Sequence, residues 1–167
     1  MALFNASHGL GEPIAKALEG RLEPCSKLQR LIRPVDTDNR MHAWEWLVVG
    51  ETLVKTDALD HSRSHDLVGH QDISWDVAGA IVELGLSAEE AGRLCAVVAR
   101  EGGCSVDPDL LAFMFPCYLA FHMGSCLMAA DALRGAAEAA RLESRAKWYA
   151  ARLTRLLDEK PLELSPA

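Results

Sequence analysis

Residues 72–85, DISWDVAGAIVELG, have the pattern of a buried helix that begins after an acid and ends at a glycine. Aspartate, as at Asp72, is a common N-cap residue of helices. Glycine, as at Gly85, commonly follows the last residue of a helix. Apolar residues recur between them at helical spacing, namely Ile73, Val77, Ala80, Ile81 and Leu84. The stretch therefore predicts a helix whose inner face packs in a core.

Three further helices are predicted towards the C-terminus. Ser87 and Glu90 form a capping box at the start of a helix that ends near residues 102–103. Pro108 begins the next helix, and Pro116 is expected to break or kink it. The last helix covers about residues 136–159, with its narrow apolar stripe at Leu142, Ala146, Tyr149, Leu153 and Leu156.

Upstream, the residue types change to those of a β-hairpin. Residues 44–49 and 52–56 are rich in aromatic and β-branched side chains, and Gly50-Glu51 between them suits a type II′ turn. Trp44 and Trp46 in this stretch, like Trp75 further on, are interpreted as core residues rather than a ligand platform. Residues 57–71 are polar and predict a loop. The predicted fold class is mainly α with a small β-hairpin (α+β).

The whole chain, 1–167, is predicted to be a single domain, because its length suits one ordinary core. Residues 1–33 hold N-terminal helices that Pro34 ends, residues 34–76 hold the turn and hairpin region, and residues 77–160 form a helical bundle.

Composition excludes some classes of protein. The net charge is −7 without a block of Lys or Arg, so nucleic acid is not an expected partner. Five cysteines without a CxxC pair fit a reducing compartment, and the N-terminus does not resemble a secretory signal. Residues 110–130 carry no charge over a length that spans a membrane, but Pro116 and His122 within the run favour a core helix. A cytoplasmic protein without a membrane span is therefore expected.

Acidic residues mark four points of the region from 34 to 76. Asp38 ends a turn, Glu45 begins a strand, Asp57 ends the partner strand, and Asp72 lies at the mouth of a helix. This order is expected to bring carboxylates together around a cleft, where they hold Mg²⁺ and orient a hydroxyl nucleophile. Phosphoryl transfer requires such an arrangement.

Over roughly residues 30–157 the chain resembles the aminoglycoside phosphotransferase and choline kinase group of the protein-kinase-like fold. Val-Asp-Thr-Asp38 stands where that family has Val-His-Gly-Asp, and Val-Lys-Thr-Asp57 stands where its metal-binding strand ends. Gln-Asp72-Ile-Ser-Trp-Asp76-Val-Ala follows its Gly-Asp-Pro-x-x-Asp-Leu-Ala. The resemblance implies the helical C-lobe of that fold, with Asp38 as catalytic base and Asp72 and Asp76 as structural acids. Asp76 would tie down the catalytic loop.

The resemblance also implies Mg²⁺ and ATP as cofactors. Glu45 stands near the position of the family's metal-binding Asn, two residues late, so Glu45 and Asp57 would bind the cofactor, and Asp57, Asp60 and Glu45 the metal. The implied activity is Mg²⁺-dependent transfer of phosphate from a nucleotide to the hydroxyl of a small-molecule substrate. Nothing before Asp36 corresponds to the nucleotide-binding N-lobe, which would be a missing segment or another chain, and ATP binding alone would be weak. A non-catalytic kinase-like binding module is the alternative.

Histidines suggest two other interpretations. His61, His65 and His70 lie in the polar loop, where they would be candidate zinc ligands together with an aspartate of the same loop. His65-Asp66, with His42 upstream, has the residue pair of metal-dependent HD phosphohydrolases. A strand pair beside this dipeptide does not fit that all-helical class.

Overall fold

The computed structural model describes residues 1–23, 25–56 and 69–158. Most of them are helical and one two-stranded sheet is present, which confirms the predicted fold class, mainly α with a small β-hairpin. The helices are α1 (Ala2–Leu10), α2 (Glu12–Leu22), α3 (Cys25–Leu28), α4 (Ser74–Leu84), α5 (Ala88–Gly102), α6 (Pro108–Ala132) and α7 (Ala137–Asp158). The strands are β1 (Trp46–Val49) and β2 (Thr52–Lys55), and 3₁₀ turns cover Gln29–Leu31 and Ala43–Glu45.

The chain divides into two compact units. The hairpin unit contains the described residues of Leu28–Phe115, and the terminal unit contains the described residues of Met1–Lys27 and those from Pro116 to Asp158. The first and last helices therefore belong to one unit, whereas the sequence grouped the last helices with residues 77–160. The single domain stays a prediction.

The hairpin forms as its turn residues predict. Strands β1 and β2 pair antiparallel, with Trp46 opposite Lys55 and Val49 opposite Thr52. Gly50 has a φ of 63°, and among the described non-glycine residues only Asn39 shares a positive φ. A positive φ at the first loop residue alone is the signature of the type II′ turn.

The helices of the hairpin unit end as predicted. Gly85 follows α4 in the left-handed conformation at a φ of 66°, and Ser87 and Glu90 form both halves of the capping box of α5. Residues 77–83 are all buried, so α4 is covered nearly all round. Leu84, predicted to face inward, is instead exposed.

Helix α6 is continuous through Pro116, so the proline does not break it, and the alternative expectation of a kink stays a prediction. A proline removes one helical N–H donor. Tyr118 and Leu119, in the turn that follows, are fully buried, and their packing offsets the loss. By length and composition α6 is apolar enough to cross a membrane, and 67% of its most apolar 18-residue window is buried within the protein. The cytoplasmic location stays a prediction.

The terminal unit packs α1, α2 and α7 with the second part of α6. The amide of Asn5 on α1 donates to the carbonyl of Ala120 at 3.1 Å, and a Cβ atom at Gly124 would lie only 2.3 Å from that amide. The stripe of α7 is buried at Ala146, Tyr149 and Leu153, as predicted. Helices α1, α2 and α3 all lie within residues 1–33, where N-terminal helices were predicted.

Candidate functional site

Asp76, in the first turn of α4, holds the segment that contains Asp38. Its Oδ2 accepts a hydrogen bond from the backbone N–H of Asp38 at 2.7 Å, and its Oδ1 accepts one from Asn39 at 2.9 Å. Burial raises the pKa of the Asp76 carboxyl to about 6, while the two N–H bonds act in the opposite direction. This is the contact that the structural role predicted for Asp76 requires, although the role stays a prediction.

Asn39 gives this segment its sharp bend. Its φ is 64°, a left-handed conformation that asparagine adopts more readily than most residues. Its side chain is fully buried, donates to the carbonyl of Gly69 at 2.8 Å and accepts from the hydroxyl of Thr37 at 3.0 Å. Asn39 therefore joins the turn to the chain that enters α4, and sequence reasoning missed it.

Asp72 makes a second set of ties. Its Oδ1 accepts from the N–H and the hydroxyl of Ser74 at 3.0 and 2.6 Å, and its Oδ2 accepts from the N–H of Arg33 at 2.9 Å. The isolated bridge between Val35 and Gln71 lies in the same region. The carboxylate oxygens of Asp72 and Asp76, the two predicted structural acids, thus accept hydrogen bonds from backbone N–H groups and, for Asp72, from a hydroxyl.

Lys55 brings together the two acids predicted for catalysis and cofactor binding. Its Nζ lies 2.8 Å from Oδ2 of Asp38 and 3.0 Å from Oε2 of Glu45. The three side chains are only 10%, 13% and 12% exposed, in the order Lys55, Asp38, Glu45. We call these three residues the hairpin base.

The local hairpin geometry places Glu45 and Lys55 side by side. Glu45 ends the 3₁₀ turn before β1, and Lys55 ends β2. The N–H and hydroxyl of Thr56 both donate to the carbonyl of Glu45, at 2.8 and 3.0 Å, which extends the strand pairing by one step. Burial lowers the pKa of Lys55, but the hydrogen bonds and charges of Asp38 and Glu45 together raise it above its ordinary value. Lys55 therefore stays charged at neutral pH.

The described residues do not form a complete Mg²⁺ site, and Mg²⁺ binding stays a prediction. Of the predicted ligands, Asp57 and Asp60 lie outside the described residues, and Glu45 shares the ammonium of Lys55 with Asp38. Within residues 1–23, 25–56 and 69–158, no group of three or more His, Cys, Asp or Glu side chains is arranged to hold a metal ion. Mg²⁺ needs near-octahedral oxygen coordination, and a resident ammonium repels it.

The described part of the chain gives little support to the zinc and HD phosphohydrolase interpretations of the histidines. His61, His65 and Asp66 lie outside it. His70 lies at the surface, with its Nδ1 2.9 Å from Oδ1 of Asp36. His42 stacks on Trp44 with ring centroids 4.2 Å apart, and its Nδ1 is 3.7 Å from Oε1 of the buried Glu83. The zinc and HD interpretations stay predictions.

The tryptophans differ from the expected core role. Trp75 is buried and Trp46 is half-buried, but Trp44 is 61% exposed. Its indole stacks on the ring of His42 at the surface. Core packing is therefore correct for Trp75 and wrong for Trp44.

No protein-family model, curated protein or solved structure matches this chain significantly. The kinase-like resemblance therefore rests on the sequence motifs alone and stays a prediction.

Proposed function

We propose that this chain contains a kinase-like lobe in its non-catalytic form, a small-molecule binding module in which Lys55 takes the place that Mg²⁺ would occupy in a phosphotransferase. The observation that carries the proposal is the position of the Lys55 ammonium within 3.0 Å of both Asp38 and Glu45. These are the acids to which the resemblance gives the catalytic-base and metal roles.

The kinase-like part of the proposal is supported by the way in which Asp76 holds the turn. An acid in the first turn of a helix accepts the N–H groups of Asp38 and the next residue, and the hairpin lies between the two segments along the chain. A kinase-like arrangement requires both features, which is why they support the proposal.

The non-catalytic part is supported by the contacts of the Asp38 carboxylate. Its Oδ2 accepts from Lys55 at 2.8 Å, and its Oδ1 accepts from the N–H of Arg40 at 3.2 Å. A general base must have an oxygen within hydrogen-bond reach of the hydroxyl that it deprotonates. Both oxygens thus accept hydrogen bonds from within the hairpin unit, which supports a role of Asp38 in the fold, and a metal at this position would first have to displace Lys55.

Calorimetric titration with Mg²⁺, alone and with ATP, tests the proposal. The wild type is expected to bind neither measurably. Lys55→Met removes the ammonium and should create a weak Mg²⁺ site, visible as binding heat and as an Mg²⁺-dependent rise in Tm. Adding Glu45→Gln should abolish this gain, and Lys147→Met, at an exposed lysine of α7, should behave like the wild type.

The active phosphotransferase predicts different results. Wild-type protein would then bind Mg²⁺ through Glu45 and Asp57, and Mg²⁺-dependent consumption of ATP would disappear in Asp38→Asn. If the wild type binds Mg²⁺ and the Asp38→Asn variant loses ATP consumption, the chain is an active phosphotransferase and the proposal of a binding module is wrong.

A further inference from the structure

Four arginines and one tryptophan form a continuous stripe along α7. This basic stripe consists of Arg141, Arg145, Trp148, Arg152 and Arg155, which are spaced alternately four and three residues apart. Helical residues at this spacing share one face, and the stripe is about 21 Å long at the helical rise per residue. All five side chains are half-buried or exposed, so the stripe lies at the surface of the terminal unit.

Trp148 stacks against two of these arginines. The guanidinium carbons of Arg145 and Arg152 each lie 3.9 Å from the centre of the Trp148 ring. One face of an indole has room for a single guanidinium at this distance, so the two cover opposite faces. Stacking uses the flat face of a guanidinium, whereas the N–H groups at its edge are those that bind a carboxylate through two parallel hydrogen bonds.

The C-terminal part of the stripe differs from the other surface arginines in its ion pairs. Several arginines pair with an acid within four residues of the chain, namely Arg93, Arg100, Arg134 and Arg141. Arg152 and Arg155 form no ion pair with any residue that the structure describes. Two positive charges of the stripe therefore lack an acidic partner within the described chain, in a protein whose net charge is −7.

A further arginine reaches this end of the stripe from α2. Nη2 of Arg21 donates to the carbonyl of Leu156 at 3.1 Å, and Leu156 directly follows Arg155. Arg21 thus adds positive charge at the C-terminal end of the basic stripe.

We propose that the basic stripe of α7 binds an acidic helical segment of a partner protein, whose Asp or Glu side chains accept hydrogen bonds from Arg152, Arg155 and the stacked Arg145. The proposal concerns the terminal unit alone and is independent of the function proposed for the hairpin base.

Spacing and charge both favour this partner. The alternating spacing of four and three is that of side chains along a contact between two helices, so acids at the same spacing on a second helix face the stripe over its whole length. Carboxylates match the edge of a guanidinium in charge and in geometry.

Other anionic partners fit the stripe less well. Guanidiniums cover both faces of Trp148, so no nucleic-acid base can stack there, and a net charge of −7 repels a long polyanion. The stripe also has no exposed large apolar side chain with which to enter a membrane surface.

Fluorescence anisotropy of a labelled synthetic peptide tests the proposal on the full chain. The peptide is a helix of about 20 residues with glutamates alternately three and four apart on one face, and its control has glutamine at these positions. The wild type should bind the glutamate peptide, more weakly as salt rises, and should not bind the glutamine peptide.

Variants identify the stripe as the binding surface. Arg152→Gln should weaken binding of the glutamate peptide roughly tenfold, because a charge-assisted hydrogen bond is lost. Arg155→Gln should weaken it in the same direction, and since Arg155 is outside the Trp148 stack, that loss cannot come from a disturbed stack. Arg152→Lys keeps the charge without the planar fork and should also bind more weakly. Arg100→Gln removes the same charge from an exposed arginine of α5 and should bind like the wild type.

Three results would overturn the proposal. The first is that the wild type does not bind the glutamate peptide even at low salt. The second is that Arg152→Gln and Arg155→Gln bind it as tightly as Arg100→Gln. The third is that the wild type binds a single-stranded oligothymidylate or vesicles containing phosphatidylserine more tightly than the peptide.

Discussion

The two ends of the β-hairpin reverse the usual distribution of charged and apolar side chains. At the hairpin base, Asp38, Glu45 and Lys55 are about nine-tenths buried, whereas towards the turn Val48 and Val49 are mostly exposed. The charges tolerate burial because each carboxylate lies within hydrogen-bonding distance of the ammonium. The difference shows that burial depends on the partners that a side chain contacts, since the buried charges at the base pair with one another.

Removal of Lys55 is expected to lower the free energy of unfolding more than any other change at the hairpin. In Lys55→Met, without metal, the carboxylates of Asp38 and Glu45 remain close together with no cation, and breaking a buried ion pair in this way costs about 3 to 5 kcal/mol. Urea unfolding at neutral pH in the presence of a chelator measures the loss.

The matched control for Lys55→Met is Arg93→Met, which breaks the exposed pair with Glu89 on α5. Exposed pairs contribute about 0.5 kcal/mol or less. If Lys55→Met costs no more than Arg93→Met, the hairpin base does not stabilise the fold.

Titration of Asp76 is the next largest expected effect. Its pKa is raised to about 6 from 3.8, chiefly by burial, so the folded state binds the proton more tightly than the unfolded state. Its contribution to the unfolding free energy is therefore fully present below about pH 4 and is lost as pH rises through about 6. The total change is about 3 kcal/mol at most, since one pKa unit corresponds to about 1.4 kcal/mol.

Asp76→Asn removes this titration and provides the reference. The unfolding free energy of the wild type relative to the variant should fall between about pH 4 and pH 7. Because the other groups titrate in both proteins, they cancel in the difference. A difference that stays flat or rises over this range would show that the Asp76 pKa is not raised.

Asp76→Ala tests the hydrogen bonds rather than the charge. The N–H groups of Asp38 and Asn39 lose their acceptor, which should cost about 2 kcal/mol at neutral pH. Asp107→Ala is matched to it, because Asp107 also accepts two backbone N–H groups, at the more exposed start of α6, where a cap contributes about 1 kcal/mol. Equal losses in the two variants would mean that Asp76 is an ordinary cap.

Local signals predicted the elements of the fold well. Gly50 and Glu51 set the turn of the hairpin, and Ser87 with Glu90 set the start of α5, because each depends on residues within one turn of chain. Pro116 does not break α6, since its missing donor is a local cost that packing in the next turn offsets.

The site was less predictable because its contacts cross long stretches of sequence. Asp38, Glu45 and Asp76 were singled out from the motifs, and the structure brings the first two together through Lys55. A single lysine on a strand gives no sign in the sequence that it will lie between two acids. Asn39 was missed for a similar reason, since its left-handed backbone is set by contacts with residues 69 and 76.

The smallest expected effect is at the turn end of the hairpin. Val48→Thr keeps the β-branched shape and changes one methyl group to a hydroxyl on a side chain that is 75% exposed, so the unfolding free energy at micromolar concentration should change by about 0.5 kcal/mol or less. Urea unfolding provides the measurement. A loss comparable with that of Lys55→Met would mean that Val48 packs against another part of the fold, and the contrast between the two ends of the hairpin would no longer hold.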